Sequence, residues 1–127
     1  MTERILISSG TPWEDSVGYS RVIRVGNLVE VSGTTAVDGS QLIGEGDPYE
    51  QARFILVKIG KSLEQAGASL AQVVRTRIYV TDINNWPHIA KAHGEVFGTI
   101  KPASSMVEVS RLIDPNMLVE IEATAIV

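Results

Sequence analysis

Two glutamates on one alternating apolar run, Glu120 and Glu122 in L-V-E-I-E-A-T-A-I-V, are the residues of this chain whose type and spacing best fit chemistry. On a strand they share a face, because side chains alternate with a period of two. A carboxylate held on a rigid strand can take a proton from water if burial or a neighbour keeps its pKa useful, which makes Glu120 a candidate general base. The competing reading is an ion pair with Arg75 or Arg77, which share one face of V-V-R-T-R-I-Y-V-T-D. Glu122 is read as a structural partner of such a pair.

His88 and His93, five residues apart, are off the i, i+4 spacing that metal ligands favour on a helix, and no metal site is expected. His93 is placed to pack or to line a pocket, His88 to face solvent. Ser104 and Ser105 lack the histidine and aspartate arrangement of a serine nucleophile. Trp13, Glu14, Asp15 and Tyr19 fall in a loop over residues 9–20, where ligands are often met above a rigid scaffold. Its aromatics either bind or seal the loop onto the sheet. Ser32-Gly33, at a strand end, is a place where backbone N–H groups become accessible to a ligand.

The elements that must hold these residues are marked by switches in apolar period. Residues 4–8 read as a first strand, and 21–25 and 28–33 as a hairpin around Gly26-Asn27. Residues 34–46 form a turn-rich loop. Asp47 caps a helix with Pro48 at its first position and Glu50 completing a capping pair. Ala52, Ile55, Leu56, Ile59, Leu63 and Ala66 form its apolar stripe, and Gly67 ends it. Gly60, inside that helix, is read as a close approach to the sheet. Residues 73–81 form a strand, with Val74, Thr76, Ile78 and Val80 on one face and Val73, Arg75, Arg77 and Tyr79 on the other. A second helix runs over 86–97 between Asn85 and Gly98, and two closing strands flank Asp114-Pro115-Asn116. The order βββαβαββ is α+β, a single mostly antiparallel sheet with two helices on one face.

At 127 residues the chain is one domain, residues 1–127, with 44% apolar and 20% charged residues. A net charge of -4 without a basic run argues against nucleic-acid binding. The absence of cysteine removes disulfides, thiolate metal sites and a cysteine nucleophile. No signal-peptide core or spanning apolar stretch is visible, so a cytoplasmic protein with no membrane partner is expected. The uncovered sheet face should mix Arg75, Arg77, Glu120 and Glu122 with Tyr79, Met106 and Leu28 or Val29. That face is too apolar for plain solvent and too charged for a dry core, which points to a homo-oligomer with paired charges in its interface.

Nearly the whole chain resembles the RidA/YjgF family, through the Gly26-Asn27 hairpin into V-E-V-S-G, then Q-A-R, I-G-K-S-L-E-Q-A-G-A-S-L, V-V-R-T-R-I-Y-V-T-D, P-A-S-S-M-V-E-V and V-E-I-E-A-T-A. The resemblance implies a chorismate-mutase-like fold, a homotrimer with small-molecule clefts between subunits, and hydrolysis of reactive enamines and imines without a cofactor. It also implies roles. Tyr19 matches a cleft tyrosine, Ser32 and Gly33 match backbone contacts to ligand, and Glu120 matches the glutamate that positions or activates water. Ser104 stands where relatives carry the arginine that clamps a substrate carboxylate, Ala90 replaces a cleft asparagine, and Met106 replaces a frequent cysteine. Lys101, Arg21 and Arg77 are candidates for a substitute cation. Two further readings stand beside the deaminase: a non-catalytic metabolite-binding or regulatory protein, and a ribonuclease or translation inhibitor, which the acidic charge disfavours.

Overall fold

Alternation builds one six-stranded sheet in the order β1-β2-β3-β8-β6-β7 in this computed structural model, which describes residues 3–127. Its strands are β1 (Arg4–Ile7), β2 (Val22–Val25), β3 (Leu28–Thr34), β6 (Val73–Val80), β7 (Ala103–Glu108) and β8 (Val119–Ile126). Every pairing is antiparallel except β6 with β7, which run parallel because the helix α3 (Trp86–Phe97) crosses between them. The fold is therefore α+β with a mostly antiparallel sheet, as the element order implied. The two closing strands do not pair, since β8 inserts between β3 and β6 while β7 forms the edge.

The helix α2 (Pro48–Gln65) begins where the capping residues place it, with Asp47 accepting from the Glu50 N–H at 3.1 Å. Gly67 follows its end at φ 77, a left-handed geometry that glycine adopts without strain. Ile55, Leu56, Ile59 and Leu63 are fully buried against Val29, Val31, Ile121 and Ala123, and α3 adds Ile89, Ala92 and Phe97 to the same core. Both main helices thus cover one face. The close approach at Gly60 is to a side chain beyond the helix: a Cβ there would meet Leu70 at 3.2 Å, in the short turn Leu70–Gln72.

Other departures have local causes. Residues 9–20, read as loop, contain a short helix α1 (Pro12–Val17), and residues 34–46 contain a two-stranded hairpin of β4 (Val37–Asp38) and β5 (Gln41–Leu42). The register of β6 against β8 slips between Val73 and Arg75, so Val73 turns into the core and Val74 out to solvent, the reverse of strict alternation. Val29 is core and Leu28 faces outward. Met106 sits opposite Ile78 and packs on the core, so it belongs to the helix-covered face and not to the open one. Among the described residues no helix is long and apolar enough to cross a membrane.

Candidate functional site

The open sheet face carries the acidic pair. Tyr79 lies opposite Glu120 and Arg77 opposite Glu122 across β6 and β8, so all four share that face. The structure separates the two glutamates by partner. Glu122 is 3.6 Å from Arg77 Nη1 and accepts from the Tyr79 hydroxyl at 3.2 Å. Glu120 has no ion pair or side-chain hydrogen bond among the described residues. Burial pushes its carboxyl above the ordinary range, Glu122 adds to that, and Arg21 opposes it. A half-buried carboxylate with raised basicity and free lone pairs suits proton acceptance better than ion pairing.

Gly33 explains how Glu120 fits. β3 and β8 slip register between Val31 and Thr34, and a Cβ on Gly33 would lie 2.5 Å from Glu120 Oε2. Arg21 Nη2 donates to the Gly33 carbonyl at 2.6 Å, and Ser32 Oγ donates to the Ser20 carbonyl at 2.6 Å. The Ser32 N–H, expected to be free, donates to the Arg21 carbonyl. Tyr19 follows, 6.0 Å from the Arg21 guanidinium. The strand-end bulge thus brings Gly33 against Glu120, while Ser32 and Tyr19 lie together along the adjoining groove. Gly33→Ala is expected to keep the fold, since the end of a carboxylate can swing aside at about 1 kcal/mol. It should lower any activity that depends on Glu120 by about 10- to 100-fold. Paired rate and denaturation measurements check this, and an unchanged rate would show that Glu120 does not need that position.

Ser104 and His93 belong elsewhere. Ser104 pairs in register with Thr76, whose side chain enters the core, so Ser104 and Glu120 face opposite sides of the sheet. Thr76 Oγ1 is 2.8 Å from Ser104 Oγ and 2.9 Å from His93 Nε2. Burial alone lowers the His93 pKa, and its ring packs on Phe97 at 4.6 Å between centroids. Ser104 thus has a histidine within two hydrogen bonds, which linear spacing did not reveal, although among the described residues no carboxylate orients it. His88 is exposed as expected. Of the three candidate cations, Arg21 is the one whose charge acts on Glu120, Arg77 is taken by Glu122, and Lys101 is exposed. No group of three acidic, histidine or cysteine residues able to hold a metal occurs among the described residues.

The segment carrying Tyr19 is anchored by a carboxylate. Trp13 is 59% exposed and Tyr19 39%, so the aromatics do not seal it. Glu14 is buried and accepts from the Ser9 N–H at 3.1 Å, from the Thr11 hydroxyl at 3.0 Å and from the Ser9 hydroxyl. Burial by itself would raise its pKa, but the hydrogen bonds from Ser9, Ser8 and Thr11 together outweigh it and lower the value. A lowered pKa gives stability that is present above the unfolded value and lost as pH falls through the folded one. Glu14→Gln is therefore expected to flatten the acid side of the stability profile, from the ordinary glutamate range downward. Thermal unfolding from pH 7 to pH 3 checks this, and parallel wild-type and variant curves would refute it. Glu14, Tyr19 and Ser32 also line a groove of about 500 Å³, large enough for a small metabolite, though Glu120 does not reach it.

Gln51 is the positioning residue that sequence patterning missed. It is fully buried, its Nε2 donates to the carbonyls of Gly44 (3.2 Å) and Asn116 (3.0 Å), and its Oε1 accepts from the Leu118 N–H at 2.9 Å. That amide fixes the chain two residues before Glu120. Its signal was its place on the apolar stripe, four residues before Ile55.

Comparison with known proteins shows the family and the fold. Residues 11–127 match the family described as Endoribonuclease L-PSP. An uncharacterised protein of Streptomyces coelicolor is 35% identical over 94% of this chain and 89% of its own length. The 3-aminoacrylate deaminase RutC of Acinetobacter baylyi is 32% identical over 98% of both chains. A crystal structure from Mycobacterium tuberculosis, a member of the YjgF/YER057c/UK114 family, superposes with a TM-score of 0.90 at 50% identity, covering 98% of this chain and 100% of the other.

Proposed function

We propose that this chain, which belongs to the endoribonuclease L-PSP (YjgF) family, hydrolyses a reactive enamine or imine, with Glu120 as the residue that takes the proton from water. The observation that carries the reading is the half-buried Glu120 carboxylate, unpaired among the described residues, held against Gly33 with the Arg21 charge acting on it. The deaminase name of one relative supports the same class of reaction.

The chemistry needs no cofactor, because an imine carbon is already electrophilic. Water adds its oxygen to the C=N carbon while Glu120 accepts a water proton, giving a carbinolamine. That proton passes to nitrogen to complete the neutral carbinolamine, Glu120 then moves the hydroxyl proton to the same nitrogen as the C–N bond breaks, and ammonia leaves with a carbonyl product. Glu120 ends as it began, and one water is consumed for each ammonia released. An enamine enters after tautomerising to its imine.

Within one chain Ser104 and Glu120 face opposite sides of the sheet, so a ligand touching both requires a second copy. A homotrimer with clefts between subunits supplies it, and the open face supports association through exposed Leu28, Val107 and Ile126 beside its paired charges. A non-catalytic metabolite-binding role is favoured by one observation, the neutral Ser104 cluster in place of a cation. Freshly generated imines of varied side chain and charge, followed by ammonia release, separate the two. Rates equal with and without protein across the panel would leave only binding. A monomer in sedimentation at micromolar concentration would rule out the shared cleft.

A further inference from the structure

Thr76 Oγ1 lies within hydrogen-bond distance of both His93 Nε2 and Ser104 Oγ, and it has one proton to give to the two. That stoichiometry couples the three groups. With the imidazole proton on Nε2, His93 donates to Thr76, Thr76 donates to Ser104, and the serine proton is free to point out of the protein. With Nε2 bare, Thr76 donates to it, Ser104 donates to Thr76, and a serine lone pair turns outward. Thr76 is fully buried and Ser104 exposed, so the chain runs from the core to the edge strand with the serine hydroxyl at its outer end.

We propose that Ser104, Thr76 and His93 form one neutral, reversible hydrogen-bonding unit, so that the ligand meets Ser104 with an uncharged donor-acceptor group such as a primary amide instead of a carboxylate. This rests on the reading above that Ser104 faces the ligand. A carboxylate stripped of water needs a cation, and one neutral hydroxyl returns little of that cost. The cluster contains none. Burial keeps His93 uncharged at neutral pH, with no charged group contributing to its shift. None of the three arginines is bonded to the cluster: Arg75 donates to Ser105 at 2.8 Å on the other face, Arg77 pairs with Glu122, and Arg21 donates from Nη2 to the Gly33 carbonyl while its buried Nε has no partner among the described residues. Lys101 is exposed and bonded to none of the three among the described residues. An amide offers both an N–H and a carbonyl, so it fits either direction of the chain.

The test compares binding of 2-oxobutanamide and 2-oxobutanoate, stable carbonyl counterparts of an amide-bearing and a carboxylate-bearing imine, to the full chain by calorimetry. His93 imidazole ¹⁵N shifts are recorded alongside. Wild type should bind the amide about tenfold more tightly, the effect of one net neutral hydrogen bond. Ser104→Ala should erase the preference. Thr76→Val should erase the His93 response to the amide while Ser104 remains in place. Equal or tighter binding of the acid, no binding of either ligand, or His93 shifts unmoved by the amide would each overturn the proposal. Amide preference with a His93 response, but no ammonia release from any imine, would instead end the hydrolase reading and leave this one standing.

Discussion

Glu120→Gln is expected to lower imine hydrolysis by about 10²- to 10⁴-fold, the range for a lost general base, while the protein stays folded. Glutamine keeps the shape and one hydrogen-bonding oxygen but cannot hold the water proton. The pH profile of the wild type should show the same group, with the rate rising as Glu120 deprotonates at a midpoint above the ordinary glutamate range, because burial raises it. Stability should move the other way. A carboxyl whose folded pKa is raised binds protons more tightly when folded, so stability declines as pH rises from the unfolded value through the folded one. At neutral pH the ionised Glu120 is a cost that glutamine lacks, and the variant should melt at the same temperature or higher. Ammonia release and thermal unfolding on one preparation decide this. A fully active variant, or an inactive one that is also unfolded, would remove Glu120 from its role.

Gln51→Leu should destabilise the chain by about 3 kcal/mol or more. One amide satisfies the Gly44 and Asn116 carbonyls and the Leu118 N–H, and leucine leaves all three without that partner. A buried polar group stranded in this way costs about 1–3 kcal/mol. Leucine is close in volume, so the loss would come from unmet hydrogen bonds more than from a cavity. Because the staple fixes the start of β8, hydrolysis should also fall in molecules that remain folded. Urea denaturation at constant m-value measures the first effect, and a change under about 1 kcal/mol would show that water or rearranged backbone replaces the amide.

The contrast between these two residues shows what a linear reading sees. Glu120 was conspicuous because a carboxylate interrupts an alternating apolar strand, and alternation alone assigns its face. Gln51 carries no such mark in the sequence, although its phase with Ile55 and Ile59 places it inward. Glu14 falls in a candidate ligand loop by sequence, and its buried hydrogen bonds arise only where α1 forms. Met106 was assigned to the open face because the phase of β7 relative to β6 comes from pairing across α3, which no local pattern encodes.

Local spacing was enough for the order of the six sheet strands and two main helices, the caps of α2, the Gly26-Asn27 turn and the family, because each depends on near neighbours in the chain. Pairing choices with no local signature decided the rest. Inserting β8 between β3 and β6 set Glu120 beside the Gly33 bulge, and the parallel register of β7 on β6 joined Ser104 to Thr76 and His93. Those contacts join residues far apart in sequence, and side-chain period says which face a residue takes but not which strand will lie beside it.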